Sequence, residues 1–317
     1  MKARNRTAVS SLALLVLATA SVTPWAWSRF EAVRSANDWN AQAIARIQEA
    51  APSDGVVFAV MGDSRGGREV FRRILADLSV ERPAFAIHTG DFVTYGQASE
   101  YAEFVRLLRG CPTPLPTVIG NHEIVGGGRT RYEDLFGSPY YSFSVGECLF
   151  VVVDDANKKD IGHEQMLWLR TQLRRDVAHK FVFLHVPPFD PRGTEAEAGS
   201  EAEHCLDSRE SAEEFMRIVR QNNVDVVFAS HIHGYFNAVR DGVRYVISGG
   251  AGATLHGSTP AAYFHHYLLM TVRGAEVRVE VRRIAADGRQ APCSRPSGSG
   301  SREASPTIGQ PTNGRKN

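Results

Sequence analysis

The sequence has little cysteine and no excess of charge of either sign. Its 317 residues carry 36 lysines and arginines against 35 aspartates and glutamates, which gives a formal net charge of +1. A charge balance this even predicts neither a nucleic-acid groove nor a polybasic membrane surface. None of the 4 cysteines stands in a CxxC pair, which argues against a structural zinc knuckle. A function is therefore expected from a small site with oxygen and nitrogen donors.

The cysteines, few as they are, fit an oxidising compartment without requiring disulfides. Four cysteines allow three full pairings, and the sequence does not choose among them. They are Cys111, Cys148, Cys205 and Cys293.

The N-terminus has the pattern of an export signal. Basic residues precede an apolar run over residues 8–22, and Ala18-Thr19-Ala20 supplies the small residues that a signal peptidase recognises. Residues 1–20 are therefore predicted to be a signal peptide. The alternative is an uncleaved N-terminal anchor, because Trp25 and Trp27 could lie at a membrane interface. Either way the rest of the chain is expected to be exported, and to be periplasmic or secreted.

Large apolar residues are almost missing after about residue 286, where Gly, Ser, Pro, Arg and Asn dominate. Such a segment cannot bury enough surface to offset the entropy of ordering it, so residues 286–317 are predicted to be a disordered tail. One domain is expected over residues 54–285, without internal repeats.

Apolar runs typical of buried strands recur along this domain, and helical patterns separate the early ones. Apolar residues spaced three and four apart predict helices over residues 69–78, after Ser99, over residues 166–173 and around Phe215. This alternation, followed by strand-rich sequence, predicts an α/β layered fold. The predicted strands are residues 56–61, 84–88, 117–119, 140–145, 149–154, 180–185, 224–230, 243–248, 267–272 and 277–284.

Polar residues stand at the ends of several predicted strands, where the ligand sites of α/β folds gather. Asp63, Asp91 and Asn121 follow the first three strands. His185 closes a later strand, and His231 follows another. One such coincidence would mean little, but this number of them predicts a common site.

Carboxylates, imidazoles and an amide oxygen are suitable ligands for Mn, Fe(II) or Zn. Because cysteine is not among them, an open site that keeps a water molecule is favoured over a closed zinc site. Two ions about 3.5–4 Å apart can share a carboxylate and a hydroxide, which suits attack on phosphorus. Taken singly, each segment has a simpler explanation. A Gly-Asp pair is usually a turn, and His185 before two prolines could be a core histidine.

Five short segments together resemble the calcineurin-like metallophosphatases, a family that includes purple acid phosphatases and many bacterial phosphoesterases. The resemblance runs from Val56 to about Val272 and implies a four-layer α/β/β/α sandwich with two divalent metal ions, Mn, Fe or Zn, at the strand ends. The segments are Met61-Gly62-Asp63-Ser64-Arg65-Gly66, Thr89-Gly90-Asp91, Gly120-Asn121-His122-Glu123, Leu184-His185-Val186-Pro187-Pro188 and Ser230-His231-Ile232-His233-Gly234.

The resemblance also implies a role for each matching residue. Asp91 resembles the carboxylate that bridges the two ions, and His122 resembles the catalytic histidine that faces the substrate. Glu123 is expected to orient His122. The remaining matches are Asp63 and His233 as ligands of the first ion, and Asn121, His185 and His231 as ligands of the second.

One position departs from the family pattern. The family usually has a histidine two residues after the first Asp, where this chain has Arg65. Purple acid phosphatases also lack that histidine but use a tyrosine three residues after the bridging Asp; here Thr94 holds that place, and Tyr95 follows it. Tyr95, water or substrate could complete the first site. Arg65 is always cationic and cannot be a ligand, but it could bind substrate phosphate or hold its loop through an ion pair.

The expected reaction is hydrolysis of a small-molecule phosphate ester by a hydroxide that bridges the two ions. His122 is expected to donate a proton to the leaving oxygen. The acidic segment over residues 190–211 mildly disfavours polyanionic substrates such as nucleic acid. A non-catalytic, metal-bound binding module of the same fold is the alternative, and the arginine at position 65 is its only support. Association with a membrane is expected only if the N-terminal segment is not cleaved.

Overall fold

The computed structural model describes residues 38–50, 55–192 and 204–284. The predicted signal peptide, the predicted tail and half of the acidic segment, residues 193–203, therefore lie outside the described residues. Within the described ranges, no helix is long and apolar enough to cross a membrane.

Helices and strands alternate in the first half of the chain, and strands dominate the second half. The helices are α1 (Trp39–Glu49), α2 (Arg68–Glu81), α3 (Ala98–Arg109), α4 (Gly128–Phe136), α5 (His163–Leu173) and α6 (Arg209–Gln221). The strands are β1 (Val56–Met61), β2 (Phe85–His88), β3 (Tyr141–Val145), β4 (Cys148–Val152), β5 (His179–Phe183), β6 (Val226–Ala229), β7 (Tyr235–Arg240), β8 (Val243–Ser248), β9 (His266–Arg273) and β10 (Glu276–Arg283).

The strands form two sheets. A four-stranded sheet has the order β10-β9-β1-β2, in which β1 and β2 run parallel. A six-stranded sheet has the order β3-β4-β5-β6-β8-β7, with its four central strands parallel and an antiparallel strand at each edge. Because parallel strands share a direction, their carboxyl ends meet at one edge, and the loops that follow β1, β2, β5 and β6 can build one site.

The sheets pack face to face over an apolar core rich in phenylalanine. Phe58 of β1 packs in edge-on geometry against Phe150, Phe181 and Phe228 of the other sheet. Each fully buried phenylalanine stabilises the fold by roughly 1.5–3 kcal/mol. Helices α2, α3 and α4 cover the outer face of the small sheet, and α5 and α6 cover the large one. The predicted four-layer α/β/β/α sandwich is thereby confirmed.

The prediction of a strand over residues 117–119 is wrong. Thr117 makes a single bridge to His88, and the backbone of the preceding segment mainly accepts hydrogen bonds from β2. Ala86 and His88 donate backbone hydrogen bonds to the carbonyl oxygens of Pro114 and Pro116. Because the two prolines have no N–H to return, a full ladder cannot form.

Three elements lie where no element was predicted, namely strand β7 and helices α1 and α4. Strand β7 forms a largely exposed edge of the large sheet. Helix α1 precedes the predicted domain start at residue 54 and packs on the body, where the buried Asn40 side chain accepts a hydrogen bond from Thr117 N–H at 2.8 Å. Trp39 also donates to the carbonyl oxygen of Leu115 at 2.9 Å. The folded body therefore includes α1, which fixes the segment that leads to Asn121.

Cys111 and Cys148 are buried thiols. Every full pairing of the four cysteines needs Cys111, so none of the three pairings is formed. Burial raises the pKa of Cys148 to about 11, which keeps this thiol protonated and unreactive at neutral pH.

Candidate metal centre

Three of the predicted ligands stand on sharp turns directly after strands. Asp63 and Asp91 both have a φ of 59°, and His231 has a φ of 67°. This left-handed conformation costs a residue other than glycine on the order of 1–3 kcal/mol and persists only where the surrounding structure imposes it. Its occurrence at three neighbouring strand ends indicates a functional constraint on where these side chains lie.

Two glycines allow the turns to approach each other closely. A Cβ at Gly120 would collide with Oδ1 of Asp91 and lie 2.6 Å from its backbone nitrogen. A Cβ at Gly90, where φ is 95°, would lie 2.7 Å from Nδ1 of His185. Only glycine fits at these two positions, because the loops after β2 and β5 and the segment after Thr117 converge there.

One group of donors, the His185 side, consists of Asp91, Asn121, His185 and His231. Ligand atoms of Asp91, His185 and His231 all lie within 4.8 Å of one another. Nε2 of His185 is 3.3 Å from Oδ1 of Asp91 and 3.0 Å from Oδ1 of Asn121. The structure therefore brings together the carboxylate predicted to bridge the ions and the three predicted ligands of the second ion.

A second group, the His233 side, consists of Asp63 and His233. Oδ1 of Asp63 lies 3.5 Å from Nε2 of His233, and Oδ2 accepts a hydrogen bond from His231 N–H at 2.9 Å. Oδ1 is buried and accepts no hydrogen bond. A buried carboxylate oxygen without a donor is unfavourable unless a cation faces it.

Backbone carbonyl groups fix the orientation of three of the site's imidazoles. Nδ1 of His185 lies 2.9 Å from the carbonyl oxygen of Thr89, and Nδ1 of His233 lies 2.6 Å from that of Thr254. Nδ1 of His122 lies 2.7 Å from the carbonyl oxygen of Thr94. Since a carbonyl can only accept, Nδ1 of each ring donates a hydrogen bond to it, and Nε2 faces the site.

Asp155 supports His185 but stands in no motif, so no sequence pattern selects it. Its carboxylate accepts hydrogen bonds from the backbone N–H groups of His185 and Val186, at 3.0 and 2.9 Å. The only available signal was its position three residues beyond the end of β4. Burial raises the pKa of Asp155 to about 7.

Glu123 has a different role from the one expected. Its carboxylate does not orient His122, which Thr94 holds instead. It accepts hydrogen bonds at 2.7–3.1 Å from four backbone N–H groups in the loops that carry Asp91 and Asn121. The donors are Asp91, Phe92, Val93 and Gly120. Glu123 therefore clamps two ligand loops together.

Comparison with known proteins identifies the family. The profile of the calcineurin-like phosphoesterases matches residues 56–235, which is more than half of the chain. The chain belongs to the calcineurin-like phosphoesterase family. No curated protein matches this phosphoesterase.

Several solved structures share the fold of this phosphoesterase. Purple acid phosphatase PPD1 from yellow lupin seeds is 17% identical over 76% of this chain and 54% of that one, with a TM-score of 0.59. A dimetal phosphatase from Danio rerio is 13% identical over 73% of this chain and 97% of that one, with a TM-score of 0.57. GAP50, an anchor in the inner membrane complex of Plasmodium, is 12% identical over 75% of this chain and 87% of that one, also with a TM-score of 0.57. The chain spans about half the length of the lupin protein.

Buried carboxyl groups are concentrated in the phosphoesterase site. Asp63, Asp91, Glu123 and Asp155 are each at most 1% exposed. Burial alone would lower the pKa of His185, but the charge of Asp91 outweighs it and raises that pKa to about 10. Burial opposes ionisation of Asp91, yet the charge of His185 and its hydrogen bond hold the pKa of that carboxyl well below its usual range. The site thus retains a proton on His185, which a divalent ion would displace on binding.

Arg65 and Tyr95 differ in how close they come to the site. Nε of Arg65 lies 3.5 Å from Oδ2 of Asp91, so the guanidinium faces the carboxylate expected to bridge the ions. The side chain of Tyr95 is 63% exposed, unlike the buried carboxylates, and its backbone N–H is held by Glu100. The geometry gives no support to Tyr95 as a ligand.

The donor set fits a divalent ion better on one side than on the other. On the His185 side, a carboxylate, an amide and two imidazoles converge, which is a suitable set for Mn, Fe or Zn. On the His233 side, the bare Oδ1 of Asp63 and Nε2 of His233 fit a cation, but they supply only two donors.

Proposed function

We propose that this calcineurin-like phosphoesterase hydrolyses phosphate esters of small molecules with divalent metal ions as its cofactor. The observation that carries the proposal is the convergence of the Nε2 atoms of His122, His185 and His233 on the buried carboxylates of Asp63 and Asp91. Since Nδ1 of each ring is committed to a carbonyl oxygen, these Nε2 atoms are oriented before any ligand arrives.

The metal ligands would be Asp63, Asp91, Asn121, His185, His231 and His233. Divalent ions held there would supply a hydroxide at neutral pH and neutralise charge on the phosphoryl oxygens. The buried carboxylates favour cations in this position, and the absence of cysteine among the donors leaves Mn, Fe and Zn as candidates.

His122 is positioned for proton transfer to the leaving group. Its side chain is 26% exposed at the rim of the site, and Nε2 lies 3.8 Å from Oδ2 of Asp91. Its backbone N–H also donates to Oδ1 of Asp91 at 3.0 Å, which ties it to the ligand loop. A histidine held this way can approach a substrate oxygen from the solvent side, and it would donate a proton as the ester bond breaks.

The proposal includes export. The chain would act outside the cytoplasm, in the periplasm or as a secreted protein, because its N-terminal sequence has the composition of a signal peptide.

Turnover of two chromogenic esters by the purified protein tests the activity. We expect hydrolysis of p-nitrophenyl phosphate or of bis-p-nitrophenyl phosphate, and the preferred ester distinguishes a monoesterase from a diesterase. Asp91→Asn should lose metal and turnover together, because this carboxylate supplies the negative charge of the His185 side. Asp134→Asn, which changes an exposed carboxylate on α4, is the matched control and should retain both.

Inactivity with bound metal would contradict the catalytic proposal. If the metal-loaded protein turned over neither ester, the binding module of the same fold would be favoured instead. The orientation of His122 argues for catalysis, because a site that only binds metal has no need of it.

A further inference from the structure

The two carboxylate oxygens of Asp91 face different partners. Oδ1 lies 3.3 Å from Nε2 of His185 and accepts the backbone N–H of His122 at 3.0 Å. Oδ2 lies 3.5 Å from Nε of Arg65 and 3.8 Å from Nε2 of His122. A carboxylate can bridge two ions through one oxygen or through both. Here Oδ2 already faces a guanidinium, so a second ion next to this oxygen would meet a fixed positive charge.

Arg65 is held in this place by its backbone. Its N–H donates to the carbonyl oxygen of Asp91 at 3.0 Å, and its side chain is 24% exposed. Nε is buried and donates no hydrogen bond. A guanidinium cannot lose its proton to become a ligand, and its positive charge repels a second cation at short range.

The remaining donors are unequally divided. Asp91, His185 and His231 are the one trio of close Asp, Glu, His or Cys donors among residues 38–50, 55–192 and 204–284, and Asn121 adds an amide oxygen. Among the same residues, Asp63 and His233 belong to no comparable trio of such donors, although the ring of His256 stacks on His233 with centroids 4.9 Å apart. An ion bound there would depend on water or substrate to fill its other coordination positions.

We propose that the two halves of this centre differ in affinity, with one ion held tightly on the His185 side and an exchangeable ion on the His233 side. Arg65 sets the difference. It replaces a neutral ligand with a fixed positive charge beside Oδ2 of Asp91. The inference rests on the proposed metal centre and adds a form of regulation, because activity would then follow the free concentration of metal around the protein.

Metal content at stepwise chelator concentrations tests this directly. The purified, metal-loaded full chain is dialysed against increasing chelator, and ions per chain are counted by elemental analysis. We expect the first ion to leave at a chelator concentration that spares the second, with dissociation constants that differ by roughly tenfold or more. Equal loss of both ions would overturn the asymmetry.

Variants assign each ion to its side. His233→Ala should keep one tightly bound ion, whereas His231→Ala should lose it. Arg65→His should bind both ions tightly. Arg65→Gln, which only removes the charge, should also raise the affinity for the weakly bound ion, but by less. Arg68→His is the matched control, since Arg68 is half-exposed and pairs with Glu103 at 2.8 Å, and it should match wild type.

Two results would overturn the assignment. One is loss of the tight ion in His233→Ala. The other is an affinity for the weakly bound ion that is unchanged in both variants at position 65. A wild-type chain that binds no ion under any condition would refute the metal centre, and with it the proposed function. Two equally tight ions in an active protein would refute only the asymmetry.

Discussion

Nδ1 of His122 donates a hydrogen bond to the carbonyl oxygen of Thr94 at 2.7 Å. Thr94 lies three residues after Asp91, so the loop that presents the central carboxylate also sets the direction of the histidine ring. Nε2 is thereby turned towards Oδ2 of Asp91 and the solvent-accessible rim. The position of the proton donor and that of the metal ligand are therefore coupled through one loop.

Replacement of His122 by alanine should lower turnover on the order of 10²–10⁴-fold, the usual effect of losing a positioned proton donor. Metal content should stay near wild type, because the ring belongs to neither donor group. The loss should be smaller for esters with acidic leaving groups, which need less protonation. Steady-state kinetics over a series of phenyl phosphates measures this, with His163→Ala as an exposed control. An equal loss across the series would show that His122 positions phosphate instead.

Glu123→Gln should destabilise the fold and loosen the centre. An amide oxygen can keep two of the four N–H donors, but its NH₂ group would face the other two. Each buried N–H left without an acceptor costs about 1–3 kcal/mol. Thermal unfolding should show a clear drop in Tm, whereas Glu276→Gln on the exposed edge strand should show almost none. An unchanged Tm would mean that the clamp is unimportant.

Acid should destabilise the protein partly through His266. This fully buried ring donates from Nδ1 to the carbonyl oxygen of Phe264, and burial lowers its pKa to about 4. Between pH 4 and an unfolded-state pKa of about 6.5, the unfolded chain binds the extra proton, so stability falls as pH falls. Below pH 4, the loss of unfolding free energy from this one residue is up to about 3 kcal/mol.

The check is the slope of unfolding free energy against pH, compared between wild type and His266→Asn in one set of buffers. The variant cannot titrate at this position, so its curve should be flatter between pH 6.5 and pH 4. His163→Asn, at an exposed position, should leave the slope unchanged. Parallel curves for wild type and His266→Asn would refute the assignment.

Strand ends were the informative feature of the sequence. Strands β1 and β8 begin and end where the apolar runs predicted, because a strand buried on both faces is a continuous apolar segment. Asp63 and Asp91 could be chosen for the same reason, since each follows such a strand. The structure then placed them beside His233 and His185.

Contacts between distant segments could not be predicted in this way. Asp155 and His185 are 30 residues apart, and no local pattern marks a carboxylate that accepts backbone N–H groups across a sheet. Glu123 could be selected because it stands in a motif, but its hydrogen bond with the backbone N–H of Asp91 depends on tertiary packing. Helix α1 was not predicted, because its contact with the body is made by a buried polar residue, Asn40, which accepts a hydrogen bond from Thr117.

Removal and return of metal is the most direct test of the central claim that this site is a metal-dependent phosphoesterase centre. Hydrolysis of the preferred nitrophenyl ester is measured on the purified chain, again after chelation, and again after adding Mn, Zn or Fe(II). Activity should disappear on chelation while circular dichroism shows an intact fold, and at least one of the three ions should restore it. Turnover that persists without metal, or that no ion restores to an intact fold, would show that the site is not a metal-dependent phosphoesterase centre.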